Sequence, residues 1–334
     1  MKKKNNEREK KVKKLNETYL EDNTNINDIN NLKNNLLVKK DEWFSRIEEI
    51  KNSVNEEIKN KGYLEENKAL KELERKFRKA IKERADKKNS LLYSGGIDST
   101  IIAYTLKKLN FDFKCFCVGM KNSPDVEKAK EYAERIGFEI KIKIITEKEL
   151  LKTIEKVMKI IRSYDKMKVG VGSVVFLGIN SSLKFGIKNV FSGLGAEELF
   201  AGYQRHLKVL NEEGDVNEEC WNGLKTMYER DLTRDFSIAK HLGVNLRTPF
   251  LDEDLIITAM KIKQELKISK EEKKIILRKL GLKIGLPEEI VLRPKKAAQY
   301  GSLFEKTIIQ MAKASGYKNE LEFLKSIYQK TITP

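Results

Sequence analysis

Ser94-Gly95-Gly96-Ile97-Asp98-Ser99 follows the apolar run Leu91-Leu92-Tyr93 and precedes a helical pattern from Thr100 to Leu109. The order is strand, glycine-rich turn, helix start. Two glycines strip side chains from the turn, so backbone N–H groups can point inward and approach an anion closely. The helix N-terminus adds about half a positive charge at the same place. Ser94 and Ser99 offer hydroxyl donors to phosphate oxygens. Asp98 would repel a phosphate, and its presence makes sense if Mg²⁺ sits between the two.

The stretch lacks the Gly-Lys-Ser/Thr ending of the P-loop of kinases and GTPases. It reads instead as a pyrophosphate loop, of the kind found in enzymes that split ATP into AMP and pyrophosphate. A plain strand-to-helix turn capped by an Asp is the simpler reading, and it leaves most of the matched positions unexplained. A second stretch, Ser192-Gly193-Leu194-Gly195-Ala196-Glu197-Glu198, repeats the logic of short strand, glycine turn and acidic helix start. A carboxylate from it, facing the Asp98 loop, would complete a Mg²⁺ site. Alternatively, Glu197 and Glu198 merely favour a helix N-terminus.

The 334 residues suit one large domain or two modest ones, and 40% of them are apolar. No apolar run approaches the ~20 residues that span a bilayer, and the basic N-terminus lacks the apolar stretch of a signal peptide. A cytoplasmic location with no membrane partner is expected. Cys115, Cys117 and Cys220 are too few for a disulfide framework and show no zinc spacing; Cys115 and Cys117 read as small core residues on one face of a strand. The net charge of +17 attracts polyanions, which include tRNA or RNA but also ATP and pyrophosphate.

Along the chain, residues 1 to about 40 are rich in Lys and Asn and read as mobile or loosely helical. Helices are expected over Asp41–Lys59, with Trp43, Phe44, Ile47, Ile50, Val54 and Ile58 on one stripe, and over Leu64–Ala85, with Leu70, Leu73, Phe77 and Ile81. Residues 1–65 are taken as a basic extension, partly disordered and partly helical, and 66–334 as the main domain. From Ser90, strands alternate with helices: Leu91–Tyr93, Phe113–Val118, Phe138–Ile145 and Asn189–Phe191 as strands, with helices over Asp125–Ile136, Glu147–Ile161 and Ser173–Phe185. That alternation predicts an α/β fold, a parallel sheet with helices on both faces, followed after Gly202 by a mainly helical C-terminal part. Ligands of such sheets bind at the carboxyl ends of the strands, where Ser94 and Ser192 both fall. Val118-Gly119, ending the second strand, is placed to line an adenine slot.

The two glycine-rich stretches, the second continuing Leu199-Phe200-Ala201-Gly202-Tyr203, together resemble the synthetase domain of class B asparagine synthetases. Arg247-Thr248-Pro249-Phe250-Leu251-Asp252 is similar to that family's Arg-x-Pro-Phe-Leu-Asp segment, and Lys274-Ile275-Ile276-Leu277-Arg278 to its Lys-x-x-Leu-Arg helix. Leu286-Pro287 followed by Arg293-Pro294-Lys295 resembles its Leu-Pro and Arg-x-Lys loop. The matches fall in order between roughly residues 66 and 305.

The resemblance implies an adenine nucleotide alpha hydrolase-like (PP-loop) fold and an AMP-forming amide ligase that uses ATP and Mg²⁺. A carboxylate substrate, aspartate or a related acid, attacks the α-phosphorus of ATP, and ammonia then displaces AMP. By carry-over, Asp98 and Glu197 would hold Mg²⁺. Ser94, Gly95, Gly96, Asp98 and Ser99 would bind pyrophosphate, and Lys295 would stabilise the transition state at the α-phosphate. Leu92 and Val118 would contact adenine, Ser192 and Gly193 would lie near the adenylate, and Arg247 and Arg278 would brace loops.

The chain departs from the family pattern at Leu194, where a Glu is usual, at Glu197, where an Asp is usual, and at Asn245, where a Glu precedes Leu246-Arg247. A closer likeness is the divergent branch called asparagine synthetase domain-containing protein 1. That branch has an apolar residue at the Leu194 position and a run similar to Lys296-Ala297-Ala298-Gln299-Tyr300-Gly301-Ser302. Lys2 follows Met1 where full-length relatives carry a catalytic cysteine, so nitrogen is expected from free ammonia, a separate glutaminase or another nucleophile. Two further readings are an adenylating enzyme acting on tRNA and a non-catalytic nucleotide-binding partner protein.

Overall fold

The computed structural model describes residues 38–293 and 297–332; the expectations for residues 1–37 and for Lys295 lie outside this range. Five strands form one wholly parallel sheet in the order β3-β2-β1-β4-β5: β1 Asn89–Leu92, β2 Phe113–Gly119, β3 Ile140–Ile144, β4 Asn189–Phe191 and β5 Asn245–Arg247. Parallel neighbours need crossovers, and these are helical. Helix α3 (Ile97–Lys108) links β1 to β2, α4 (Pro124–Ile136) links β2 to β3, and α5 (Glu147–Ile161) with α6 (Lys166–Leu183) links β3 to β4. Ahead of the sheet come α1 (Lys40–Lys61) and α2 (Glu66–Arg84).

Both faces of the sheet are covered. Ser90 and Leu92 point to α6: the Ser182 hydroxyl donates to Ser90 Oγ at 2.9 Å, and a Cβ on Gly178 would lie 2.7 Å from Leu92 Cδ2. Leu91, one residue out of phase, faces the other way and is fully buried. Helix α6 begins at Lys166, ahead of the expected Ser173, because the Asp165 side chain caps it by accepting from Lys168 N at 2.9 Å. Its glycines serve close packing, since a Cβ at Gly172 would meet Val157 at 2.9 Å. Helix α3 likewise starts three residues earlier than its apolar pattern, at Ile97.

The remaining elements between β4 and β5 are a short helix α7 (Ala196–Leu199), α8 (Gln204–Asn211), α9 (Val216–Met227), a π-helical turn over Tyr228–Leu232 and α10 (Thr233–Leu242). After β5 come a 3-10 turn Pro249–Leu251, α11 (Glu253–Met260), α12 (Ile275–Ile284), α13 (Glu288–Val291), α14 (Ala298–Gly301), α15 (Phe304–Ala314) and α16 (Glu320–Ile332). The mainly helical second half is as expected. β5 within it was not foreseen: in Asn245-Leu246-Arg247 a single residue, Leu246, is apolar and buried, too little for a period-two signal.

The two N-terminal helices pack onto this body. Trp43, Ile47, Ile50 and Val54 of α1 are buried, and the Trp43 indole donates to Leu224 O of α9 at 2.8 Å. Ion pairs ring that apolar stripe, among them Lys51 with Glu218 at 2.7 Å and Lys261 with Glu57 at 2.9 Å. Helix α2 buries Leu73, Phe77 and Ile81, and its last residue, Arg84, makes a buried 2.9 Å ion pair with Asp252. Among the described residues, no helix is long and apolar enough to cross a membrane. Cys115, Cys117 and Cys220 are buried free thiols. Truncating Trp43→Ala should cost about 3–5 kcal/mol in denaturant unfolding; a loss below ~1 kcal/mol would mean that α1 is not part of the cooperative unit.

Candidate active site at two glycine-rich loops

The first loop leaves β1 and enters α3. Gly95 takes a left-handed φ of 68°, and Gly96 is the N-cap of α3. Ser99 Oγ and Thr100 Oγ1 donate to Gly96 O at 3.1 and 2.8 Å, which locks the turn. Asp98 falls in the first helical turn, where N–H groups have no intrahelical acceptor. The second loop leaves β4, the neighbouring strand, and is tied to β5 by Ser192 N donating to Arg247 O at 2.9 Å. Gly195 has φ 98°, and a Cβ there would lie 2.5 Å from Leu251, so Pro249-Phe250-Leu251 backs the loop.

The loops touch. A Cβ on Gly193 would sit 3.1 Å from Asp98 Cβ and 3.6 Å from Ser99 N. Asp98 and Glu197 then converge on one cation, the ammonium of Lys274, which lies 2.7 and 2.8 Å from the two Asp98 oxygens and 2.7 Å from Glu197 Oε1. Lys274 is the N-cap of α12, held at φ 60°, and is 2% exposed. Burial pulls its pKa down, and the charge and hydrogen bonds of Asp98 oppose that. Gly202 forms the back wall: a Cβ there would lie 1.8 Å from Glu197 Oε2 and 2.2 Å from Lys274 Cε.

Glu198 turns away from its neighbour. Its carboxylate accepts from Arg230 at 2.5 Å, and Arg230 also donates to Asp231 at 2.6 Å and to the Tyr203 hydroxyl at 3.3 Å. Full burial raises its pKa, with Asp231 adding to the effect and Arg230 opposing it. The π-helical turn that carries Arg230 and Asp231 thus anchors the second loop from behind. Of the two acidic residues, Glu197 meets Lys274 beside the Asp98 loop and Glu198 meets Arg230 of the π-helical turn.

Arginines brace the rest. Arg293 donates to Ser94 O at 2.7 Å and to Asp125 at 3.0 Å, tying the first loop to the start of α4. Arg278 donates to Lys273 O at 2.9 Å and to Val291 O. Arg247 donates to Asn189 at 2.6 Å. Arg247 and Arg278 therefore act as braces, as the sequence suggested. Beyond Arg293, Met120 N donates to Ser302 O at 3.0 Å, laying the Ala297–Ser302 run against the carboxyl end of β2.

The structure brings Ser94, Gly95, Gly96, Asp98, Ser99, Ser192, Gly193 and Glu197 together in two touching loops at the carboxyl ends of the adjacent strands β1 and β4. Leu92 and Val118 stand at the carboxyl ends of adjacent strands; Leu92 packs on Gly178, and Val118 is 5% exposed in the core. Sequence reasoning gave no site role to Lys274, Gly202 or Arg293. The available signal was electrostatic: two buried carboxylates facing each other need a buried cation, and the Lys-x-x-Leu-Arg helix supplies one.

A parallel α/β unit with two glycine-rich loops and facing carboxylates at adjacent strand ends has the build of a nucleotide-phosphate site. The sequence pattern of the asparagine synthase family matches residues 72–214 and 208–325, and the chain belongs to that family. A Methanocaldococcus jannaschii protein assigned by name to the glutamine-hydrolysing asparagine synthetases is 32% identical, over 88% of this chain and 60% of its own length. Asparagine synthetase (glutamine-hydrolyzing) 2 of Lotus japonicus is also 32% identical, over 67% of this chain and 41% of its own. The Gallus gallus asparagine synthetase (glutamine-hydrolyzing) is 32% identical, over 67% and 42%. The chain thus spans 41–60% of the length of these curated relatives.

Two outcomes follow. Gly202→Ala should displace Glu197 and Lys274, costing about 1–3 kcal/mol by overpacking and weakening ATP binding; an unchanged melt and unchanged ATP affinity would contradict the packing. His206, which accepts from Tyr203 N at 3.1 Å, is held down to about 3 by burial and by the nearby Arg205 and Lys267 charges. The unfolded chain therefore binds a proton there that the folded chain does not, and stability falls as pH drops below the ordinary histidine value. From pH 6.5 to 5 the protein should lose about 2 kcal/mol more than a His206→Gln variant, read by denaturant melts.

Proposed function

We propose that the chain is an ATP-dependent, AMP-forming amide ligase. The observation that carries the reading is the convergence of Asp98 and Glu197, one from each glycine-rich loop, at the mouth of a helix N-terminus. Two hard carboxylates with a wall fitted by Gly202 suit Mg²⁺, which binds through one or two carboxylates plus substrate phosphates. When bound, Mg²⁺ would neutralise charge on the pyrophosphate leaving group.

The loop of Ser94, Gly95, Gly96 and Ser99 holds the β- and γ-phosphates through backbone N–H groups and the Ser94 hydroxyl, the Ser99 hydroxyl being spent on Gly96 O. Leu92 and Val118 bound the adenine, and Ser192 and Gly193 approach the adenylate. An oxygen of the substrate carboxylate bonds to the α-phosphorus as the bond to pyrophosphate breaks. Ammonia then adds at the acyl carbon, AMP leaves, and a proton is lost to solvent. Lys295 carries the charge that develops on the α-phosphate. Arg293, fixed on Ser94 O two residues before it, supports that placement. The acid is aspartate or a close relative, and Leu194 beside the acyl site bears on which. The catalytic unit is residues 66–334, and residues 1–65 are an extension whose α1 docks on it. Nitrogen reaches the unit as ammonia, free or released from glutamine by a glutaminase. The location is the cytoplasm.

Exchange of labelled pyrophosphate into ATP tests this. Exchange that depends on Mg²⁺ and aspartate, and falls at least ~10²-fold in Asp98→Ala and Lys295→Ala, is expected. Exchange that survives both substitutions would overturn the site. Exchange that requires tRNA in place of an acid, which the +17 charge makes worth including, would replace the ligase with a tRNA-adenylating enzyme. ATP binding without exchange for any acid or tRNA would favour a non-catalytic role.

A further inference from the structure

The position between Asp98 and Glu197 is filled by the chain's own Lys274 ammonium, in contact with three carboxylate oxygens at 2.7–2.8 Å. We propose that Lys274 is a built-in stand-in for the divalent cation: it holds the carboxylate pair while no nucleotide is bound and vacates that place when a divalent ion arrives with phosphates. This rests on the ligase reading, in which Asp98 and Glu197 are the metal-binding pair.

Space is the first argument. The side chains of Lys274, Glu197 and Asp98 are only 3%, 9% and 12% exposed, and Gly202 closes the back of the site with no room for even a methyl group. A metal ion bound by both carboxylates needs oxygens at about 2.0–2.1 Å around a point that the ammonium now takes. Charge is the second. A divalent ion entering beside the ammonium would meet a like charge at contact distance in a buried setting. Nucleotide phosphates reverse the balance: they bring negative charge for the metal and a new partner for the ammonium. Mobility is the third. Lys274 stands where a surface turn meets α12, next to Ser269–Lys273, a turn closed by Ser269 N donating to Glu272 O at 2.8 Å. Its ammonium ends a flexible four-carbon stem, so it can pass to a phosphate oxygen once its contacts to the carboxylates are released.

The consequence is a metal site that is weak in the free protein and forms with the nucleotide. Mn²⁺ alone is the probe, titrated without nucleotide and followed by loss of the free-ion electron paramagnetic resonance signal, alongside thermal melts by circular dichroism. Lys274→Met and Lys274→Gln should each bind one Mn²⁺ at least about tenfold tighter than the unaltered protein, and should gain thermal stability on adding it where the unaltered protein gains none. Adding Asp98→Asn to either variant should remove both gains. Equal Mn²⁺ affinity in the variants and the unaltered protein overturns the proposal, as does a gain that persists with Asp98→Asn. Should both variants be unfolded without metal, recovery of the native spectrum with Mn²⁺ supports the proposal, and failure to recover at saturating Mn²⁺ overturns it. The ligase reading fails on different data, namely pyrophosphate exchange that ignores Asp98→Ala, so the two failures are separable.

Discussion

A buried carboxylate pair cannot stand without a cation, and that constraint organises this chain. Asp98 is set by the start of α3, Glu197 by the short helix after β4, and Lys274 by the start of α12. These elements are far apart in sequence, and the ion triad ties the start of α12 to both loops. The desolvation of three charges is costly, and removing one partner would leave the others uncompensated. Such an arrangement is a poor way to gain stability and a good way to hold two acidic groups at a chosen separation.

Around the triad, buried arginines do the bracing. Arg84 pairs with Asp252, Arg278 gathers the carbonyls of Lys273, just before α12, and Val291, at the end of α13, and Arg293 reaches the carbonyl of Ser94. Each guanidinium spends its several donors on loop backbone or on a carboxylate that would otherwise be buried alone. The turn Pro249-Phe250-Leu251 adds apolar backing to Gly195. Motif positions spread over the chain thus become one physical scaffold: the segments that look like sequence signatures are the ones that pin the two loops.

Four of the parallel strands, the limits of α1, α2, α4 and α5 and the two loops were legible in the sequence because they are local: apolar alternation, glycines and first-turn acids report on a few neighbouring residues. Trp43, Ile47, Ile50 and Val54 announced a buried stripe, and the structure buries them. What was not legible depends on pairing across distance. Leu246 alone could not signal β5, whose existence follows from hydrogen bonds to β4. Glu197 and Glu198 are chemically equivalent in sequence, and nothing local says that one meets Lys274 while the other meets Arg230. Lys274 sat inside a recognised motif, yet its role becomes visible only once two loops place their carboxylates around it.

Leu194 divides the site into two halves with different chemistry. On the side proposed to take phosphates stand Asp98, Glu197, the serines and the glycine turns. On the other side, a leucine stands where the resembling family has a Glu. It is half-buried and packed against the core. A leucine can neither accept a proton from an incoming ammonium-like nitrogen nor orient one by hydrogen bonding. Under the proposed ligase reading, an acid and a nucleophile meeting there would do without that carboxylate, and proton removal would fall to solvent, to the substrate or to the departing phosphate. In the proposed reading, activation of a carboxylate by ATP asks nothing of position 194, whereas the choice of acceptor does. On that reading the constraint on substrate would lie in this one apolar contact, and the constraint on reaction type in the ion triad behind it.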